Sequence, residues 1–194
     1  HLLFSFDCVV MSFYQARCAM ELGIDLIITD HHAPRIGGDG KFDLPDAIIV
    51  HPMLDVAGQE RYANPHLSGS GVALKLAWAI AQRVSRSEKV LPEFREFLVD
   101  AMGLAALGII ADVVPLLGEN RIIASHGLSG LPATRQVGLQ ALIQSAGLTG
   151  KKVDGYDVGF KLAPRLNAIG RMGHALLAVE MLTRASQEEA QHIA

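Results

Sequence analysis

The sequence is poor in the features that would staple it, embed it in a bilayer or coat it in one charge. Cys8 and Cys18 are its only cysteines. Two make no disulfide framework and have no metal-ligand spacing, so a reducing, cytoplasmic compartment is the simpler expectation. The longest apolar stretch, Ala101 to Ala111, is bounded by Asp100 and Asp112. Crossing a bilayer takes roughly 18 or more apolar residues, so no membrane partner is expected. No basic segment followed by an apolar one opens the chain, and no signal peptide is expected. The chain opens on His1 and runs straight into an apolar segment, which predicts a fragment of a longer protein. A long basic run is also missing, and 17 Lys and Arg against 20 Asp and Glu leave a formal charge of −3. Composition therefore does not announce a nucleic-acid binder, and such a function would need a locally basic groove or a basic domain elsewhere.

What is present is apolar sequence, 50% of 194 residues, enough to bury a core in one or two domains. Leu2 to Phe6 reads as a short buried strand and Ser12 to Leu22 as a helix, with Gly23 placed for a left-handed cap. Ile24 to Thr29 is a second β-branched run and Ala47 to Val50 a third. Strand, helix and strand within about 30 residues form a βαβ unit, hence a parallel sheet with a right-handed crossover. Arg35 to Pro45 and His51 to His66 read as loops. From Gly71 the pattern turns helical, over Val72–Val84, Glu93–Ile110, Asn120–Leu131, Arg135–Ala146 and Ala175–Ala194. A weak boundary at Leu148 to Gly155 divides the chain into residues 1–150 and 151–194. The fold class expected is α/β.

Ligands of open α/β sheets bind beyond the carboxyl ends of the strands. Asp7 ends the first strand and Asp30, His31 and His32 end the second, so the crossover alone brings carboxylate and imidazole to one rim. That donor set suits an ion of the Mn²⁺ type better than an all-oxygen Mg²⁺ or Ca²⁺ site. The same residues also fit a plainer reading, in which Asp7 caps the helix and the histidines form a solvated turn. Asp112 stands in an apolar run where an unpaired carboxylate is costly to bury. A metal would remove that cost, and so would a helix end at the surface. Ser68 and Gly69 precede a helix whose amides could bind phosphate, although the spacing to Lys75 is not that of a P-loop and a simple N-cap explains them equally. Arg165, Asn167 and Arg171 place two guanidiniums and an amide within seven residues, a natural phosphate clamp or an ordinary helix surface.

The order of these stretches is more specific than any one of them. Asp7-Cys8, then Ile28 to His32, Leu67 to Lys75, Ile110 to Leu116 and Ala163 to Met172 together resemble the RecJ-type single-strand-specific exonucleases of the DHH phosphoesterase superfamily. The resemblance runs from Asp7 to Ala194, with Gly118 to Arg121 and Gly138 to Leu142 also similar. It implies a parallel-sheet DHH domain, a helical subdomain, and a connecting helix toward a second domain. It implies two-metal hydrolysis of a phosphodiester with Mn²⁺ or Mg²⁺, acting from the 5′ end of single-stranded DNA in repair and recombination, with replication or repair proteins as partners. By the same resemblance Asp7, His31 and Asp112 are metal ligands, His32 faces the substrate phosphate and Asp30 supports the pair. Arg165, Asn167 and Arg171 resemble residues that hold the nucleic-acid backbone. Two departures stand out. The family's opening Asp-x-Asp motif is not in the sequence, which predicts weak binding of one ion by this segment. Val9 stands where the family usually has Gly, which predicts an altered turn at Asp7. A phosphodiesterase for short oligonucleotides or cyclic dinucleotides and a non-catalytic scaffold are the rival functions.

Overall fold

The computed structural model describes residues 1–8, 10–55, 60–172 and 175–194. Three strands, β1 (Leu2–Phe6), β2 (Asp25–Thr29) and β3 (Ile48–Val50), form a parallel sheet in the order β1-β2-β3. Helix α1 (Phe13–Glu21) makes the crossover between the first two. It stops where the sequence says it should: Gly23 takes a φ of 65°, and the Ile24 amide closes back on the Ala19 carbonyl at 2.9 Å, a left-handed helix end that glycine adopts without strain. Ala16 and Ala19 of α1 bury against Leu26 and Ile28 of β2. At the sheet edge, Leu2, Leu3 and Phe6 of β1 are each more than half exposed, an apolar surface of the kind that a further segment or partner covers.

The register decides what reaches the rim. Phe6 pairs with Thr29, and Thr29 with Val50. The ladder continues one step further, because the Asp7 amide donates to Thr29 and the Asp30 amide to Val50. The next residue of each strand, Asp7, Asp30 and His51, therefore stands in one row.

Helices α2 (Gly69–Ser85), α3 (Pro92–Ala111) and α4 (Gly118–Gly130) follow. Leu74, Ala81, Leu98, Ile109 and Ile123 form their shared core. The crossing of α3 and α4 is close enough that a methyl group at Gly127 would run into the Met102 carbonyl and Ala106. A second core joins Leu107 of α3 to Leu139 and Leu142 of α5 (Val137–Ser145) and to Val158 and Leu162 beyond. It draws on both sides of residue 150. Truncating one such buried leucine to alanine costs about 2–5 kcal/mol, so these contacts govern whether the segment folds as one body.

Two helical readings need correction. The sequence pattern predicts no helix between Ala146 and Ala175, yet a helical rod runs through α6 (Gly155–Asp157), a π-turn (Val158–Leu162) and α7 (Ala163–Met172). Pro164 concealed it: proline has no amide to give the helical ladder, and here it stands two residues past the end of a π-turn, where that ladder is already irregular. Conversely, Ala175–Ala194 is two helices, α8 (Ala175–Thr183) and α9 (Gln187–Ile193). Ser186 and Glu189 form a reciprocal capping box that starts a new helix. Among the described residues, no helix is long and apolar enough to cross a membrane.

Candidate metal centre

The row of strand ends carries the chemistry. Asp7 leaves β1 with a φ of 54°, a left-handed conformation that Asp tolerates better than most residues. The positive φ thus falls on Asp7 itself; Val9 lies outside the described residues. The Asp7 carboxylate rests against the start of α2, where a methyl group added at Gly69 would stand 2.5 Å from it. The bare backbone of Gly69 makes room for that approach.

Asp30 is fully buried. One of its oxygens accepts from the His31 amide at 2.7 Å, the His32 amide at 3.2 Å and His32 Nδ1 at 2.7 Å. The other accepts from the Val10 amide. Burial pushes this carboxyl upward, but the bonds from His32, His31 and Val10 outweigh it and leave the group below the ordinary carboxylate range. Asp30 is therefore a charged anchor whose oxygens are already engaged. A carboxylate only accepts, so His32 gives it the Nδ1 proton and keeps Nε2 for the outside. The hydrogen bond to Asp30 raises the His32 pKa above its usual value, with the charges of Asp30, Asp7 and Asp112 adding to it and burial opposing it.

His31 points between two carboxylates. Its Nε2 lies 3.2 Å from an oxygen of Asp7 and 3.4 Å from one of Asp112. Asp112 reaches this point from the C-cap of α3, and its side chain is 42% exposed. The burial cost expected from its apolar surroundings is thus absent, and Asp112 is a helix-terminal Asp that also faces the rim. A carboxylate at the negative end of a 20-residue helix is electrostatically unfavourable by itself. A second carboxylate nearby makes the point a seat for a cation. Val113, next along, takes a φ of 56°, costly for a β-branched residue and typical of strain held at a functional site.

The donor set fits a divalent ion. Ligand atoms at right angles around an ion, each about 2.0–2.2 Å away, stand roughly 2.8–3.1 Å apart. The separations around His31 Nε2 are close to this, and donor atoms of Asp7, Asp30, His31 and His32 lie within 4.8 Å of one another. Asp7, His31 and Asp112 could hold the ion, while Asp30 and His32 stand behind it.

The other expected residues lie apart. Ser68 is buried, and its hydroxyl accepts from the Gly71 amide as the N-cap of α2. Arg165 spends its guanidinium on the carbonyls of Lys161 at 2.8 Å and Ser145 at 3.3 Å. Asn167 and Arg171 are exposed on α7. Among the described residues, no hydrogen bond or ion pair joins these three to the rim.

Three contributors escaped the sequence reading. His51, third in the row of strand ends, places Nε2 2.9 Å from the His32 carbonyl and receives the Met53 amide at Nδ1, 3.1 Å away. Burial holds its pKa below the ordinary value, with the His32 carbonyl opposing. Its signal was available, since it directly follows the expected third strand. Asn120 is completely buried. Its amide donates to the carbonyls of His66 at 2.6 Å and Pro115 at 2.9 Å and accepts from Asn64 at 3.2 Å. It thereby ties the loop before Ser68 to the loop after Asp112. Glu119 supports the same junction, accepting from Tyr62 at 2.5 Å and Lys75 at 2.8 Å.

Comparison with known proteins bears on this geometry. No family model matches the chain. It is 41% identical to the single-stranded-DNA-specific exonuclease RecJ of Bacillus subtilis (strain 168), over 100% of this chain and 22% of that protein. It is 38% identical to the RecJ of Thermus thermophilus, over 98% of this chain and 25% of that protein. A crystal structure of RecJ in complex with Mn²⁺ from Thermus thermophilus superposes with a TM-score of 0.78 at 35% identity, covering 99% of this chain and 26% of that one. The chain thus spans about a quarter of the length of these relatives. Over nearly its whole length the chain is thus similar, in sequence and in fold, to one segment of the single-stranded-DNA-specific exonucleases named RecJ.

Proposed function

We propose that the full-length protein hydrolyses phosphodiester bonds of single-stranded DNA from the 5′ end, using divalent ions held in part by Asp7, His31 and Asp112. The observation that carries this reading is His31 Nε2 aimed between two carboxylates at 3.2 and 3.4 Å, on the strand-end rim of a chain akin to RecJ exonucleases. The ions are Mn²⁺ or Mg²⁺, two of them in the intact protein; RecJ structures in complex with Mn²⁺ and with Mg²⁺ support a divalent ion. Such ions supply Lewis-acid charge to the attacked phosphate.

The chain's own residues do the rest. Asp30, held as a carboxylate, fixes the tautomer and direction of His32. With Nδ1 bonded to Asp30, His32 turns Nε2 outward, where a protonated ring would donate to a substrate phosphate oxygen. Ser68 and Gly69 act through the backbone at the amide end of α2, which favours a phosphate. Asn167 and Arg171, with the N–H groups that Arg165 does not give to Lys161 and Ser145, hold the DNA backbone from the 151–194 segment, while residues 1–150 hold the metal. The cytoplasm, DNA repair and recombination, and replication or repair proteins as partners complete the proposal.

The test uses the full-length protein and single-stranded DNA. Asp112→Asn should reduce nucleotide release by at least about 100-fold, since it weakens a metal ligand. Arg171→Lys should reduce hydrolysis of long strands by roughly ten-fold, because lysine cannot copy the guanidinium fork, and should spare a small phosphodiester. Equal activity on long and short substrates, unchanged by Arg171→Lys, would favour the small-substrate phosphodiesterase instead.

A further inference from the structure

The register that brings Asp7 and Asp30 to the rim brings His51 there too. We propose that His51 is a positioning residue: as a neutral ring protonated on Nε2, it holds the His32 carbonyl and so fixes the direction of the His32 ring. The inference rests on His32 facing the substrate.

The two partners of His51 set its tautomer. The Met53 amide can only donate, so Nδ1, 3.1 Å away, must carry the lone pair. The His32 carbonyl can only accept, so Nε2, 2.9 Å away, must carry the proton. The opposite tautomer loses both bonds, and a doubly protonated ring loses the first. Asp30 meanwhile holds the amides of His31 and His32 and the His32 ring. The His31–His32 dipeptide is therefore gripped by its amides from one buried residue and by its carbonyl from another. His51 has no lone pair left for a cation, which separates it from His31, whose Nε2 faces two carboxylates.

A pair of near-isosteric variants isolates the donor. In His51→Asn and His51→Asp a side-chain oxygen can accept from the amide two residues on, as in an Asx turn. Only Asn also offers an N–H to the His32 carbonyl. In the full-length protein, Asn should retain at least about ten-fold more kcat on single-stranded DNA than Asp, an outer-shell effect of ordinary size. KM and Mn²⁺ affinity should differ between the two by less than about three-fold. Equal kcat in the two variants, or a difference confined to KM or Mn²⁺ affinity, would overturn the proposal. A second readout is independent of hydrolysis: the imidazole nitrogen spectrum of the histidine-labelled full-length protein, with and without Mg²⁺. A lone-pair Nδ1 and a protonated Nε2 at His51, unmoved to a coordinated shift by Mg²⁺, support the assignment. The reverse tautomer, or coordination of Mg²⁺ by His51, defeats it. If wild type fails to hydrolyse single-stranded DNA, the proposed function falls, and this spectrum still decides the role of His51.

Discussion

Asn120 lets the stability of the rim be worked out from the structure. Asn120→Ala removes an amide that is completely buried and makes three hydrogen bonds, to His66, Pro115 and Asn64. Each such bond contributes about 0.5–1.5 kcal/mol net. The neighbouring His66 and Pro115 are exposed residues, so water can partly replace the lost partner and the full penalty of a buried orphan does not apply. The sum is a loss of about 1.5–4.5 kcal/mol, a large share of the roughly 5–15 kcal/mol that holds a domain together. With a urea slope of about 2 kcal/mol per molar, the unfolding midpoint should fall by about 1–2 M. Asn120→Asp should be worse at pH 7, because it turns both donors into acceptors that face carbonyl oxygens. Mn²⁺ affinity should fall with stability in both variants, since Asn120 holds the chain on either side of the rim. A loss below about 1 kcal/mol for Ala, well under the three-bond sum, would show that Asn120 does not tie the two loops together. So would an Asp variant as stable as the Ala variant.

Gly69→Ala should lower Mn²⁺ affinity by roughly ten-fold or more with little change in melting temperature, because the half-exposed Asp7 carboxylate can swing away from the added methyl group; calorimetric titration against wild type measures it, and unchanged affinity would show that Gly69 does not set the Asp7 position. Burial pushes Glu119 upward, but bonds from Lys75 and Tyr62 outweigh it and leave its folded pKa below the ordinary 4.5. That contribution is present above pH 4.5 and is lost as pH falls through the folded pKa. The melting-temperature deficit of Glu119→Gln should therefore be largest above about pH 5.5 and should shrink as pH falls below 4.5 through the folded pKa; a deficit independent of pH would exclude the charge as its cause.

The sheet and the strand-end residues of its rim were legible because they are local; Asp112, at the end of α3, was not. A glycine at a helix end, two β-branched runs and residues directly after strands are read by counting along the chain. His51 obeyed the same rule and was missed only because Pro52 and the residues after it read as loop. The capping box at Ser186 was likewise a local signal, hidden beneath helical apolar spacing on both sides. Gly69, Glu119 and Asn120 belong to a different class. Apart from the bond of Asn120 to Pro115, their partners are between 44 and 62 residues away in sequence, and nothing in their immediate neighbours specifies those contacts. The π-turn before Pro164 was hidden for a third reason, since proline is ordinarily a sign that a helix ends.

Everything proposed for the rim depends on Asp7, His31 and Asp112 forming a seat for a divalent ion. Anomalous scattering at the manganese edge, from crystals of the full-length protein grown with Mn²⁺, addresses this without recourse to activity. A peak should lie about 2.0–2.4 Å from His31 Nε2 and from oxygens of Asp7 and Asp112, and it should vanish in His31→Ala. Manganese density elsewhere, or ligated by His51 with His31 free, would contradict it.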